Sequence, residues 1–324
     1  MTYVGVDVSK STLHIAHGGA LAGEFKNTEH GRSKLLAYLE RLDGPVRVVL
    51  EPTATYHQNL AVDIANSEFA EVMIANPRAV AHFGKALMQR GKTDALDCQL
   101  LASFGAAVEF VPWTAPSEHV SDLRTLMRRR QQLVVMKTSE KNRLKEMKAV
   151  GADPFVISDI EEMIALLKAR IANLEVRAKA IVAKDDALKE TMAMLKSFPG
   201  IGDVLAPVIT AELVHLPADT SGRQLTAFAG LDPKPDQSGE RHGRRHISRC
   251  GNKRLRTALY MAALTAVRHN PNVKAWKERL VGKGKKPKVA VVAVARRFLN
   301  VIAELRASKG RWDSERFYKL PVAS

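Results

Sequence analysis

The chain has 324 residues, too many for one small module, and its 46% of hydrophobic residues suits a folded protein rather than a disordered one. Fifty Lys and Arg against 34 Asp and Glu leave a net charge of +16, which makes a polyanion the first partner to consider. Two cysteines, Cys98 and Cys250, are too few for a disulfide framework or a four-thiolate zinc site. The N-terminal MTYVGVDVSK lacks a signal-peptide pattern and no apolar run reaches about 18 residues, so a soluble cytoplasmic protein without a membrane span is expected.

The first third reads as α/β. The β-branched run 3–8 predicts a strand with one carboxylate, Asp7, inside it, and 13–16 predicts a second strand after the Ser9-Lys10-Ser11 turn. Residues 31–42 have helical spacing at Leu35, Leu36, Leu39 and Leu42. A strand follows at 46–50, running into Glu51-Pro52, then a helix at 56–66, a strand at 72–74 and a helix opened by Pro77. Strands separated by helices predict a mixed sheet with helices packed on it.

The middle changes period. Ile160, Ile164, Leu167, Ile171, Leu174, Ala178 and Ile181 alternate steps of four and three, a heptad seam. A weaker stripe of Leu123, Leu126, Leu133, Leu144 and Met147 precedes it, and Gly151-Ala152-Asp153-Pro154 interrupts helix between the two. This predicts a coiled-coil helical hairpin over 114–194, against the alternative of two core helices of a globular domain. The back reads as helical: Phe198-Pro199-Gly200-Ile201-Gly202 before an apolar helix at 204–213 is similar to a helix-hairpin-helix turn, or is a plain tight turn. Residues 231–252 are polar and Gly-rich, and 253–268 and 287–305 are basic, Ala-rich helices. Charge follows this division: 10 basic and 12 acidic residues in 1–112, 15 and 12 in 113–195, 25 and 10 in 196–324. A near-neutral front joined to a strongly basic back predicts that the back holds phosphates.

The carboxylates are the candidates for chemistry. Asp7 is expensive inside an apolar strand, Glu51 ends another strand, and Asp94 and Asp97 lie three apart on one helix face. Such a set suits hard divalent ions, and two-metal sites serve phosphoryl transfer. Asp94 and Asp97 alone are more often a solvated face or a cap.

Taken in order, GVDVSK, LEPTATYHQNLA, RGKTDALDCQLLA, FPGIGDVLAPVITAEL, AFAGLDPKPDQSGE and RHISRCGNKRLRTALY resemble the DEDD transposases of the one-ten family of bacterial insertion sequences, over nearly the whole chain. The resemblance implies an RNase H-like (RuvC-like) domain over 1–113, the hairpin at 114–194 as a dimerisation element, and a basic, mainly helical transposase domain over 195–324. It implies that Asp7, Glu51, Asp94 and Asp97 bind Mg²⁺, two ions per site with Mn²⁺ as a substitute, and that Ser238 in DQSG is the nucleophile. It also implies donor and target DNA and a structured non-coding bridge RNA as partners, a homodimer assembling to a tetramer, and action at the nucleoid.

Read from the residues alone, Ser238-Gly239 is an ordinary turn signal. Its neighbourhood is less ordinary. Arg241, Arg244, Arg245 and Arg249, then Lys253, Arg254 and Arg256, form a candidate nucleic-acid-binding set, since guanidinium forks match phosphate oxygens. His242 and His246 are candidate proton carriers, although loop histidines are more often solvated. Two other functions fit parts of the pattern: a RuvC-type nuclease in which the carboxylates activate water, and a non-catalytic nucleic-acid-binding protein.

Overall fold

The computed structural model of the chain describes residues 1–320 except 53, 89, 90, 92, 235, 236, 239, 240 and 243–245. The chain divides after Ala115 into two compact units. Among the described residues no helix is long and apolar enough to cross a membrane.

The first unit is a five-stranded mixed sheet covered by helices. Its elements are β1 (Thr2–Val8), β2 (Thr12–His17), β3 (Ala20–Lys26), α1 (Glu29–Glu40), β4 (Val46–Leu50), α2 (Gln58–Ala65), β5 (Ala70–Ile74), α3 (Pro77–Ala86) and α4 (Asp94–Ala107). The strand order is β3-β2-β1-β4-β5, antiparallel among β3, β2 and β1 and parallel among β1, β4 and β5. Strand β3 lies outside the expectation from sequence. It is an edge strand, ALAGEFK, with no β-branched residue and little burial, so it carries no strand pattern of its own and forms by pairing with β2.

Alternation in β1 sorts its side chains between two layers. Val4, Val6 and Val8 are buried on one face with Leu35 and Leu39 of α1 and Leu60 and Ile64 of α2. The other face turns Gly5 and Asp7 toward α4. A Cβ at Gly5 would lie 1.9 Å from the carbonyl oxygen of Cys98, so the backbones of strand and helix touch there. Val49, Met73, Leu101, Phe104 and Val80 fill the rest of that layer.

The second unit is helical: α5 (Glu118–Ala149), α6 (Pro154–Val182), α7 (Asp186–Lys196), α8 (Leu205–Leu213), α9 (Gly222–Phe228), α10 (Lys253–His269), α11 (Pro271–Gly282), α12 (Pro287–Ser308) and α13 (Ser314–Phe317). The described part of the polar segment forms two short antiparallel ladders, β6 (Pro233–Lys234) with β9 (His246–Ile247) and β7 (Gln237–Ser238) with β8 (Arg241–His242). Helices α5 and α6 make an antiparallel hairpin. Asp153 caps α6 by accepting from Phe155 N, Pro154 occupies the first turn, and Arg130–Glu175 and Lys148–Glu161, both at 2.7 Å, fix the register. The heptad residues Ile160, Ile164, Leu167, Ile171, Ala178 and Ile181 are buried within the chain. Below the hairpin, Phe198, Phe298, Trp312 and Phe317 pack edge-to-face or tilted with ring centroids 4.8–5.8 Å apart, anchoring α12 to the turn before α8. Gly200, with φ +84°, presses that turn on α10: a Cβ there would meet Ala262 O at 2.3 Å. The Pro-Gly-x-Gly signal is explained at Gly200 by close packing.

Because the atom facing Gly5 is backbone, α4 cannot yield by turning a side chain. Gly5→Ala should therefore destabilise the first unit by about 3 kcal/mol, seen as a lowered urea midpoint at constant slope. An unchanged midpoint would mean that α4 moves freely on the sheet.

Candidate active site

The contact at Gly5 sets the position of the carboxylates. Asp7 is two residues along β1 on the same face, and Asp94 and Asp97 are in the first turn of α4, whose N-cap Thr93 accepts from Leu96 N. Acidic residues there are favoured by the helix dipole. Val6 pairs with Leu50 across the parallel β1–β4 ladder, so the backbone places Glu51 one residue beyond that pair, level with Asp7.

The half-buried Asp7 carboxyl is held above its ordinary value of 3.8. Burial is the largest cause, followed by the charges of Asp94 and Asp97; His14 and the Val8 N–H act the other way. His14 is a site residue that the sequence reading missed. Its Nδ1 is 3.6 Å from Asp94 Oδ2 and its Nε2 is 3.5 Å from Glu24 Oε2. The signal was present in TLHIAH, since antiparallel pairing of Asp7 with His14 puts both on one face. Cys98 is no nucleophile: its thiol donates to His14 O at 3.0 Å, and burial pushes it up to about 12.

Among the described residues, no group of three or more His, Cys, Asp and Glu side chains already closes around a point that would hold a metal ion. The donor chemistry nonetheless fits a hard divalent cation. Three carboxylates repel one another across a partly desolvated face, and a cation would relieve both costs.

The second unit carries the remaining candidates. Ser238 pairs with Arg241 in the β7–β8 ladder. Arg244 and Arg245 lie outside the described residues. Arg249 has φ +53°, with its N–H donating to Gly230 O. Asn252 caps α10, so Lys253, Arg254 and Arg256 occupy the first turn of that helix, and Arg256 Nη1 is committed to Ala229 O at 2.7 Å. His246 pairs with Lys234 across the β6–β9 ladder. A second serine escaped the sequence reading: Ser248 Oγ bonds the Asp232 carboxylate and accepts from the N–H of the exposed Cys250, which braces the end of the segment.

Residues 4–147 match the family model of the DEDD transposase of IS110 elements, and residues 192–278 match that of the transposase IS116/IS110/IS902 family. The chain belongs to the IS110/IS116/IS902 transposase family. The first match spans Asp7, Glu51, Asp94 and Asp97, and the second spans Ser238 and the basic set. The chain is similar to the pilin gene-inverting proteins of Moraxella bovis and Moraxella lacunata, each 27% identical over 93% of this chain and 94% of theirs. It is also similar to the 44.8 kDa protein of insertion element IS116 from Streptomyces clavuligerus, at 25% identity over 75% of this chain and 77% of that one.

A carboxyl whose folded pKa is raised favours folding below its unfolded pKa, and that contribution is lost as pH rises through the folded value. At pH 7 the ionised Asp7 therefore costs stability, and Asp7→Asn should raise the melting temperature in chelator. Near pH 3 the two proteins should melt together, and added divalent cation should raise the wild type more than the variant. A variant that melts lower than wild type at pH 7 in chelator would remove the repulsion argument.

Proposed function

We propose that this transposase cleaves and rejoins DNA through a covalent phosphoserine at Ser238, with a divalent cation held by Asp7, Glu51, Asp94 and Asp97. The observation that carries the reading is the full-length similarity to proteins named for inverting a pilin gene. Inverting a gene requires strands to be broken and resealed, whereas a nuclease only breaks them. The order β3-β2-β1-β4-β5, with carboxylates on β1, just after β4 and on α4, supports an RNase H-like reading of the first unit.

In the proposed step, Ser238 Oγ bonds to phosphorus, the bond from phosphorus to a deoxyribose oxygen breaks, and that oxygen leaves with a proton. The serine ester conserves the bond energy. A hydroxyl of the partner strand then attacks the same phosphorus, Oγ leaves, and no nucleotide cofactor is consumed. The arginines following Ser238 offer positive charge to the phosphoryl oxygens. When bound, Mg²⁺, with Mn²⁺ as a substitute, would supply Lewis-acid stabilisation of developing oxyanions. Asp7 on β1, Glu51 just after the neighbouring β4, and Asp94 and Asp97 on one helical turn would be its ligands. Pairing of a structured RNA with target and donor DNA is the proposed source of sequence choice, leaving the protein to read backbone and shape.

The proposal includes a homodimer assembling to a tetramer. The heptad seam is filled from within the chain, which leaves the outer residues of α6, Met163 and Leu166 at 42% and 46% exposure, for contact between subunits. Met163→Asp with Leu166→Asp should keep full helical content and reduce the light-scattering mass to that of one 35.6 kDa chain. An unchanged mass places assembly elsewhere.

The chemistry is tested with end-labelled element DNA, RNA and Mg²⁺ followed by denaturing electrophoresis. Wild type should carry DNA covalently. Ser238→Ala should carry none and should not recombine, whereas Ser248→Ala should still form the adduct. Near-normal nicking by Ser238→Ala would favour a water-activating nuclease.

A further inference from the structure

Helix α8, LAPVITAEL, is buried along nearly its whole length, and one of its residues is charged. Glu212 has a side chain only 3% exposed, which is costly without compensation. Arg124 and Arg128, one turn apart on α5, bring their Nε atoms to 4.0 Å from Glu212 Oε2 and Oε1, and Asn252 Nδ2 donates to Oε2 at 2.6 Å. The arrangement is not a closed ion pair. At 4.0 Å neither arginine makes a hydrogen bond to the carboxylate, and both Nε atoms are sealed from water with no acceptor among the described residues. A quarter of each arginine side chain remains exposed.

The charges do not balance. Two guanidinium groups face one carboxylate, and Arg254, in the first turn of α10, adds a third positive charge close enough to repel Arg128. His215 adds no charge: burial and then Arg124 and Arg128 push it down to about 4, so it is neutral at pH 7. Asn252 connects this cluster to the Ser238-bearing segment. Its Nδ2 holds Glu212, while its Oδ1 accepts from Arg254 N and Leu255 N to start α10.

We propose that Glu212 is a positioning residue that, with Asn252, holds Arg124 and Arg128 as a clamp for a phosphodiester group of the nucleic acid backbone, beside the exit of the Ser238 segment. If the arginines served only to neutralise Glu212, one of them in a hydrogen-bonded fork would suffice. Two arginines held off the carboxylate, with a third nearby, leave donors and net positive charge for an anion, and guanidinium forks match phosphate oxygens. The proposal deepens the transposase reading and rests on it for the identity of the anion.

The test measures binding of the full-length protein to element-end duplex DNA and, separately, to the element's structured RNA across a salt series. Arg124→Gln and Arg128→Gln should each weaken binding about tenfold to the nucleic acid that occupies the clamp. On duplex DNA each should reduce the salt slope by about 0.9. Arg→Lys at either position should restore the slope, because the charge is kept. Glu212→Gln should weaken binding without lowering the slope, since no cationic contact is removed. Where a glutamine variant does not fold, wild type is labelled with phenylglyoxal and the peptides holding Arg124 and Arg128 are read by mass spectrometry. DNA or RNA should protect both arginines, and the arm that protects identifies the source of the phosphate. Folded glutamine variants with unchanged slope on both nucleic acids, or equal labelling with and without each, would overturn the clamp. A covalent serine adduct with an unchanged slope refutes the clamp alone, and a changed slope without an adduct refutes the phosphoserine reading alone.

Discussion

The first unit depends on a contact between two backbones. Gly5 has no Cβ, so the carbonyl of Cys98 rests on β1 and α4 lies as close to the sheet as a helix can. Everything acidic in the site follows from that approach. Asp7 shares the face of Gly5, Asp94 and Asp97 sit on the turn of α4 that descends over it, and Glu51 arrives through the parallel register of β4. A larger residue at Gly5 would separate the carboxylates without altering one of them. The cost of the arrangement is electrostatic: one carboxyl is partly desolvated and faces two others.

The second unit shows the same imbalance with opposite sign. Arg124 and Arg128 face the buried Glu212, Arg254 lies near enough to Arg128 to repel it, and the sum there is positive. One unit thus concentrates negative charge that a cation would settle, and the other concentrates positive charge that an anion would settle. A divalent metal and a phosphodiester are the pair that would satisfy both. Charge held out of balance in a folded chain lowers stability, and function is the usual reason for keeping it.

Much of this was legible in the residues. Strand β4, VRVVL, announces itself by β-branched content, and Asp7 by being a lone charge in an apolar run. The heptad of α6 was equally plain. Periodicity, however, gives a stripe and not its partner, and the stripe is spent on α5 of the same chain. Strand β3 was silent because an exposed edge needs no apolar alternation. His14 could have been found from the pairing of β1 with β2, whereas Glu212 could not: its arginines lie more than eighty residues upstream, and only the tertiary fold brings them together. The proposal of Ser238 as nucleophile rests on its motif and the basic run behind it, not on any local chemistry of its own.

The two cysteines differ in a way that has practical value. Cys98 is buried, bonded to the His14 carbonyl and pushed up to about 12, so at neutral pH it is almost never a thiolate and will ignore alkylating reagents. Cys250 is exposed, two residues before the cap of α10 and immediately after the Ser248 brace. The wild-type chain therefore offers one addressable thiol, placed where the serine-bearing segment joins a rigid helix. A fluorophore attached there would report on that junction without any engineered substitution.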